Sequence, residues 1–441
     1  MKYNCIIIGS GPAGFYSALS CAKEGFKTAI IEKTQLGGTG FRSGCLPVKR
    51  NLDVIRKIEE ALSLSVNGIT LNPDFKKNLL TDTETYMIEV EDLISKRLKE
   101  ASVDIFRGDG QFLNTNAFQI NDKKLETDFF IIATGTSPGS LPGIALDKHL
   151  VLSHMEAVKL KTLPKEIVII GGNVEGIELA SLFSSLGVKV TVIEQVDQIL
   201  NETDRDLIQP VIDDLVSKNT TFLTSIKVQS IETDKNKVII RLLNKGSIIT
   251  EKVILTGVRK MNIPEGIELT GINYSDTGIH VNNNLQTNIP NIFAVGDING
   301  IHGMAHIAIQ QGMLITKGIK GQKVINDYSS LPRAMFTLPE IAGAGKQEWE
   351  LIKMGKIYKV KSFPLKNSWR GFSKNINTGF IKLIFEHDIL TGIWMTGQDA
   401  SEILSSSGLL IGQNLRKTTI MNNLFIHPTL GEGILETLFS A

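Results

Sequence analysis

The sequence predicts an α/β protein with two Rossmann-like units and a C-terminal α+β unit. Three observations carry this. A strand–glycine turn–helix–strand–acid pattern opens the chain, the same pattern recurs 162 positions later, and apolar strands alternate with short helices towards the C-terminus.

The first pattern is "CIIIGSGPAGFYSALSCAKEGFKTAIIEK". An apolar strand runs into Gly9-x-Gly11-x-x-Gly14, a helical stretch follows, and a second strand ends at Glu32. Gly9 permits the tight turn, Gly11 lets backbone approach a pyrophosphate, and Gly14 lets helix and strand pack closely. The helix N-terminus offers free N–H groups and partial positive charge. Glu32, eighteen residues after Gly14, is placed to accept hydrogen bonds from a ribose diol.

The second pattern, "EIVIIGGNVEGIELASLFSSLGVKVTVIEQ", places Gly171 and Gly176 at the turn and Glu194 eighteen residues beyond Gly176. Two units imply two dinucleotide sites, one for a flavin and one for a nicotinamide. The second copy departs from the pattern. Asn173 stands for the middle glycine, and its tolerance of left-handed backbone is expected to preserve the turn. Glu175 at the helix start would repel a pyrophosphate unless it points away. Glu194 favours the free 2′-hydroxyl of NADH over the phosphate of NADPH, and the following "QVDQIL" holds no arginine.

Size and composition set the outer limits. The 441 residues allow two to three domains. With 47 basic and 46 acidic side chains the net charge is +1, which favours neither nucleic acid nor an anionic membrane. No apolar run is long enough to span a bilayer, and Met1 leads directly into a strand rather than a signal peptide. Three cysteines make no disulfide framework, so a cytoplasmic location is expected. Cys5 in the first strand and Cys21 in the following helix read as small buried hydrophobes.

Further segments follow in order: "GGTGFRSGCLPVK", "IIATGTSP", "TGVRKMN", "TNIPNIFAVGDI", "MAH", "FTLPEIAGAG" and "HPTLGE". With the two glycine units, they resemble the class I pyridine nucleotide–disulfide oxidoreductases over nearly the whole chain, and among these the dihydrolipoamide dehydrogenases most. The resemblance implies a homodimeric, FAD-dependent, NAD(H)-linked enzyme whose active sites draw on both subunits, with no metal. It implies that Gly9, Gly11, Gly14 and Glu32 hold the ADP half of FAD, and that Thr39, Thr134 and Gly135 lie along the cofactor. Asp297 would bind its ribitol or pyrophosphate region. Ala305 and His306 would set a helix N-terminus against the flavin pyrimidine, where it stabilises negative charge. Gly171, Gly176 and Glu194 would hold NAD. Lys49 and Glu178 resemble the family's ion pair beside the flavin.

The family carries Cys-x-x-x-x-Cys where this chain has Gly40 and Cys45. The flavin-proximal cysteine remains and the one that exchanges with substrate is gone. No internal disulfide can form, so classical dithiol turnover with lipoamide is in doubt. Cys45 is expected to work alone on a thiol, disulfide or other sulfur acceptor, small or protein-bound, lipoyl among them. Pro47 suits the first turn of a helix, and the helix end with Lys49 and Arg50 is expected to lower the thiol pKa. His427 and Glu432 resemble the family's histidine–carboxylate base, supplied to the partner's site. Two other readings stand beside this one. The loss at Gly40 motivates an NADH oxidase, transhydrogenase or diaphorase with a non-sulfur acceptor. Asn173 and Glu175 motivate a non-catalytic FAD-binding subunit.

Three domains are expected: FAD-binding from 1–145 and 263–325, NAD-binding from 146–262, and an interface domain from 326–441. The stretch "DTETYMIEVEDLISKRLKEA" reads as an amphipathic helix within the first. "GFIKLIFE" and "LTGIWMTG" read as strands of the third. "FPLKNSWRGF" resembles the family only loosely and receives no role.

Overall fold

A computed structural model describes residues 1–64, 68, 80, 83–324 and 327–440. The expected limits of the interface domain, 326 and 441, lie outside the described residues. The chain opens with strand β1 (Lys2–Ile8), helix α1 (Pro12–Lys23) and strand β2 (Thr28–Glu32). Ile6, Ile7 and Ile30 are fully buried, as the inner strands of a parallel sheet covered on both faces require. Helix α2 (Cys45–Ser63) leads to α3 (Thr83–Glu100), the amphipathic helix read from the sequence. Met87, Ile94 and Leu98 form its buried stripe, with Glu84 in the first turn and Arg97 and Lys99 in the last.

Strands β3 (Asp104–Arg107), β4 (Gly110–Asn114), β5 (Ala117–Ile120) and β6 (Lys123–Ile132) complete the first sheet in the order β3-β2-β1-β6-β5-β4. β3, β2, β1 and β6 run parallel, whereas β6, β5 and β4 form an antiparallel meander.

The second unit follows β7 (Thr136–Pro138), β8 (Val151–Leu152) and the short α4 (His154–Ala157). It comprises β9 (Glu166–Ile170), α5 (Val174–Ser185), β10 (Lys189–Ile193), α6 (Arg205–Ser217) and β11 (Thr221–Leu223). A three-stranded antiparallel sheet, β12 (Val228–Asp234), β13 (Lys237–Leu242) and β14 (Gly246–Thr250), precedes β15 (Lys252–Leu255). The resulting parallel sheet has the order β11-β10-β9-β15-β8.

The chain then returns to the first unit. β16 (Arg259–Met261) pairs with β7; β17 (Tyr274–Ser275) and β18 (Gly278–Ile279) pair with each other; β19 (Ile292–Ala294) joins the first sheet beside β6. Helix α7 (Ala305–Ile319) packs on α1 so closely that a Cβ on Gly312 would lie 2.5 Å from the carbonyl oxygen of Ala13. The last unit is an antiparallel sheet of β20 (Pro332–Met335), β21 (Glu340–Gly345), β22 (Lys359–Pro364), β23 (Phe380–Glu386) and β24 (Ile389–Gly397), in the order β20-β21-β24-β23-β22. β23 and β24 are the two strands read from the sequence. Helix α8 (Glu348–Lys353) and several shorter helices accompany this sheet. The expectation of two Rossmann-like units and a C-terminal α+β unit is met.

Candidate active site

The two glycine turns have the same construction. Gly9 has φ +102° and Gly171 φ +109°, in the left-handed range that favours glycine. A Cβ on Gly14 would lie 1.9 Å from the carbonyl oxygen of Gly9, and one on Gly176 the same distance from that of Gly171. Each acid grips its own turn. Glu32 accepts from the Ser10 N–H at 3.0 Å and Oγ at 2.6 Å; Glu194 accepts from the Gly172 N–H at 2.7 Å.

The units differ at the helix start. α1 begins after Gly11 with no side-chain cap, so its N–H groups stay open to an anion. α5 begins after Asn173, whose Oδ1 accepts from the Gly176 N–H at 3.1 Å and whose Nδ2 donates to Thr256 at 3.2 Å. Asn173 has φ −78° and ψ −179°, an extended backbone. The turn survives, but not through left-handed tolerance as expected: the side chain is a helix cap, and it occupies a donor that the first unit leaves free. Glu175 points away from the turn, towards His154. Arg205 approaches the loop after Glu194 from α6, a contact the sequence does not show, but its guanidinium is held by Gln198 at 2.8 Å and Asp197 at 3.4 Å.

A continuous cavity of about 1240 Å³ joins the two units. Gly9, Gly11, Glu32, Thr39, Thr134, Gly135, Asp297 and Ala305 line it, as do Gly40, Cys45, Lys49 and Glu178. The residues suit an extended flavin dinucleotide. The glycine turn leaves room for a pyrophosphate, the N-terminus of α7 at Ala305 lacks a side-chain cap, and the Thr134 hydroxyl is buried without a partner. Asp297 accepts from the Thr136 hydroxyl at 3.2 Å. Burial pushes its carboxyl above the usual range, against the pull of the Arg259 guanidinium and the Thr136 bond. His306 is exposed at the surface, yet the atoms packed around its ring desolvate it enough to lower its pKa against a hydrogen bond to the Pro332 backbone.

Cys45 opens α2, and Lys49 stands one turn further on. Lys49 Nζ meets Glu178 Oε2 at 2.5 Å, and Glu178 Oε1 accepts from the Phe336 N–H at 3.0 Å. Burial alone would lower the Lys49 pKa, but the Glu178 carboxylate raises it overall. The same ammonium lies 5.0 Å from the centroid of the Phe336 ring. Glu178 is buried and Lys49 half-buried, so the two are not free surface charges.

The expected low thiol pKa of Cys45 is corrected. Burial pushes it up and outweighs the lowering by Lys49 and Arg259, while Glu178 and Asp297 add to the rise. Arg50, expected to help, instead sits over the Tyr86 ring at 4.9 Å. Cys5 and Cys21 are fully buried free thiols, and the contact between them together with burial raises the Cys5 pKa far beyond the ordinary range.

His427 and Glu432 form the expected pair, with Nδ1 and Oε2 3.0 Å apart. The imidazole is 65% exposed and lies outside the cavity that holds Cys45, so one chain does not bring the two together. Leu424 and Ile426 next to it are also largely exposed.

Three residues escaped the sequence reading: His154, Arg259 and Phe336. Each acts through contacts between distant segments. His154 is fixed by a capping box in which Ser153 and Glu156 satisfy the start of α4, a local S-x-x-E signal that marks the helix but not the role of its first residue.

Comparison with known proteins agrees with this geometry. The sequence profile described as "pyridine nucleotide-disulphide oxidoreductase" matches residues 3–312, and the dimerisation-domain profile of the same group matches residues 331–438. A dihydrolipoyl dehydrogenase of Chlamydia pneumoniae is 30% identical over 98% of this chain and 95% of its own length. One of Staphylococcus aureus is 31% identical over 99% and 96%. Among solved structures, LpdA from Mycobacterium tuberculosis superposes with a TM-score of 0.91 at 21% identity, covering 99% of both chains. The HOCl-induced flavoprotein disulfide reductase RclA from Escherichia coli gives 0.89 at 21%, again over 99% of both. The last two likenesses speak for the fold alone.

Proposed function

This chain belongs to the pyridine nucleotide-disulphide oxidoreductases, FAD-dependent NAD(H) enzymes of dihydrolipoyl dehydrogenase type, and we propose that it reduces a disulfide or related sulfur acceptor through Cys45 alone. The observation that carries the reading is the neighbourhood of Cys45. The thiol shares one cavity with the Lys49–Glu178 pair and the first glycine turn, while the place of a second thiol is taken: a Cβ on Gly40 would lie 2.4 Å from Pro12 Cγ.

Residues 1–145 with 263–325 hold FAD, 146–262 hold the nicotinamide nucleotide, and 326–441 join two copies. Gly9, Gly11, Gly14, Glu32, Thr39, Thr134, Gly135, Asp297, Ala305 and His306 surround FAD; Gly171, Gly176 and Glu194 hold NAD(H). When bound, FAD supplies the two-electron relay from NADH to sulfur. Cys45 supplies the nucleophile. Its thiolate attacks one sulfur of an acceptor disulfide, leaving a mixed disulfide on Cys45 and releasing the other half as a thiolate. His427 of the partner subunit gives that thiolate its proton, and the carboxylate of the partner's Glu432 supports the imidazolium. Two electrons from NADH and a proton then free the second thiol and restore Cys45. Lys49, held by Glu178, offsets negative charge on the thiolate side of the cavity.

The test is a trapped adduct. One equivalent of 5,5′-dithiobis(2-nitrobenzoate) under anaerobic conditions is expected to release one thionitrobenzoate per reactive chain and to add the other to Cys45, and NADH is expected to remove it. An adduct on Cys45 that NADH leaves in place would contradict the reading. A second reading draws on the raised thiol pKa of Cys45. A thiol that stays protonated leaves NADH electrons to a quinone or oxygen, and turnover would then be indifferent to Cys45 alkylation.

A further inference from the structure

The cavity wall carries a second carboxylate besides that of Glu178. Glu175 and Glu178 stand three residues apart on α5, so both carboxylates face the cavity from one side of the helix. Glu178 has both oxygens engaged, by Lys49 and by the Phe336 N–H. Glu175 is less well matched. Its Oε1 meets His154 Nδ1 at 3.1 Å, while its Oε2 has Arg259 Nη1 at 3.8 Å. That guanidinium also donates from Nε to Thr136 at 3.1 Å and acts on Asp297 across the cavity, so its charge is shared.

His154 is placed to hold Glu175 and little else. Its side chain is only 3% exposed, and its Nε2 is buried without a partner, 3.4 Å from where a Cβ on Gly44 would stand. The hydrogen bond to Nδ1 is the only one the ring makes among the described residues. Burial would raise the Glu175 pKa, yet the His154 hydrogen bond and the charges of Arg259 and Lys49 hold it below the ordinary value. The group is an ionised carboxylate with one side open to the cavity.

Its position gives that charge a target. The cavity meets the second unit along the start of α5, where Val174, Glu175, Glu178 and Leu179 line it, so a dinucleotide anchored at the Gly171–Gly176 turn and reaching the Lys49–Glu178 pair would run past Glu175. NAD+ and its reduced form differ there in charge: the oxidised nicotinamide ring is cationic and the reduced ring is neutral. We propose that Glu175, positioned by His154, makes the nicotinamide pocket prefer oxidised NAD+ over the reduced nucleotide. The inference rests on NAD(H) binding to the second unit and is independent of the electron acceptor.

Equilibrium binding to the oxidised FAD-containing protein separates the two questions. The probes are NAD+ and 1,4,5,6-tetrahydro-NAD, which is neutral and gives up no hydride. At low ionic strength the wild type is expected to bind NAD+ about fivefold more tightly, and Glu175→Gln to bring the ratio near one. Glu175→Ala gives the same reading should the glutamine variant not retain FAD. His154→Ala is expected to reduce the preference, and His154→Asn, which keeps a donor towards Glu175, to retain it. A wild-type ratio of one or below, or an FAD-replete Glu175 variant with the wild-type ratio, would overturn the proposal. Sulfur reductase activity enters neither result.

Discussion

Pro12 and Gly40 are locked against each other. A Cβ on Gly40 would lie 2.4 Å from Pro12 Cγ and 3.0 Å from Cδ, and Pro12 opens α1 directly after the first glycine turn. A proline ring cannot swing aside as a long side chain can. The position that would carry a second thiol is therefore filled by the scaffold of the first dinucleotide turn.

Gly40→Cys is accordingly expected to disturb the site rather than restore a dithiol. Inserting a side chain into this packing costs about 1–3 kcal/mol. Thermal unfolding should shift down, and thiol counting on the oxidised variant should find Cys45 still free. A variant as stable as the wild type that forms a Gly40→Cys–Cys45 disulfide would show that the turn adapts.

Cys45 titrates high because burial outweighs its cations. Alkylation by iodoacetamide is therefore expected to accelerate with pH through a midpoint above that of an ordinary thiol. The signs of the neighbours follow from their charges. Lys49→Met removes a cation and should raise the midpoint further, whereas Glu178→Gln removes an anion and should lower it. Pseudo-first-order rates against pH, with mass spectrometry locating the label, give all three values.

His427 lies outside the Cys45 cavity of its own chain. Its replacement should spare electron entry and slow electron exit. His427→Gln is expected to leave anaerobic flavin bleaching by NADH unchanged while lowering disulfide turnover by about 10²–10⁴-fold. Stopped-flow absorbance and steady-state assays on one preparation separate the two.

Lys382 joins the second unit to the last. Fully buried on β23, its ammonium meets Asp204 at 2.9 Å, Asp206 at 2.7 Å and Glu348 at 2.8 Å. Lys382→Met would leave three carboxylates facing one another and is expected to cost about 3–5 kcal/mol. Chemical denaturation should show the loss, and a midpoint unchanged from wild type would contradict it.

The fold was legible because its signals are local. The glycine turns, the alternation of apolar strand and helix, and the eighteen-residue reach from Gly14 to Glu32 and from Gly176 to Glu194 are each set within about thirty residues of chain. Cys45, Lys49 and Glu178 were legible only through resemblance, since nothing local ties residues 49 and 178. The errors share a cause. The helix end and sequence neighbours of Cys45 point to a low thiol pKa, but burial in a cavity built from distant segments raises it. Backbone tolerance points to a left-handed Asn173, but its backbone is extended and its side chain caps α5. His154 and Arg259 meet Glu175, and Phe336 meets Lys49 and Glu178, only once the sheets have assembled, and no spacing in the sequence announces those meetings.

The most direct test of single-cysteine sulfur chemistry is NADH-dependent disulfide reduction by Cys45→Ser, measured at matched FAD content beside the wild type. The account predicts that the variant is still reduced by NADH but loses disulfide reduction to background. Disulfide reduction at the wild-type rate in Cys45→Ser would contradict it and would place the electron exit elsewhere on the flavin.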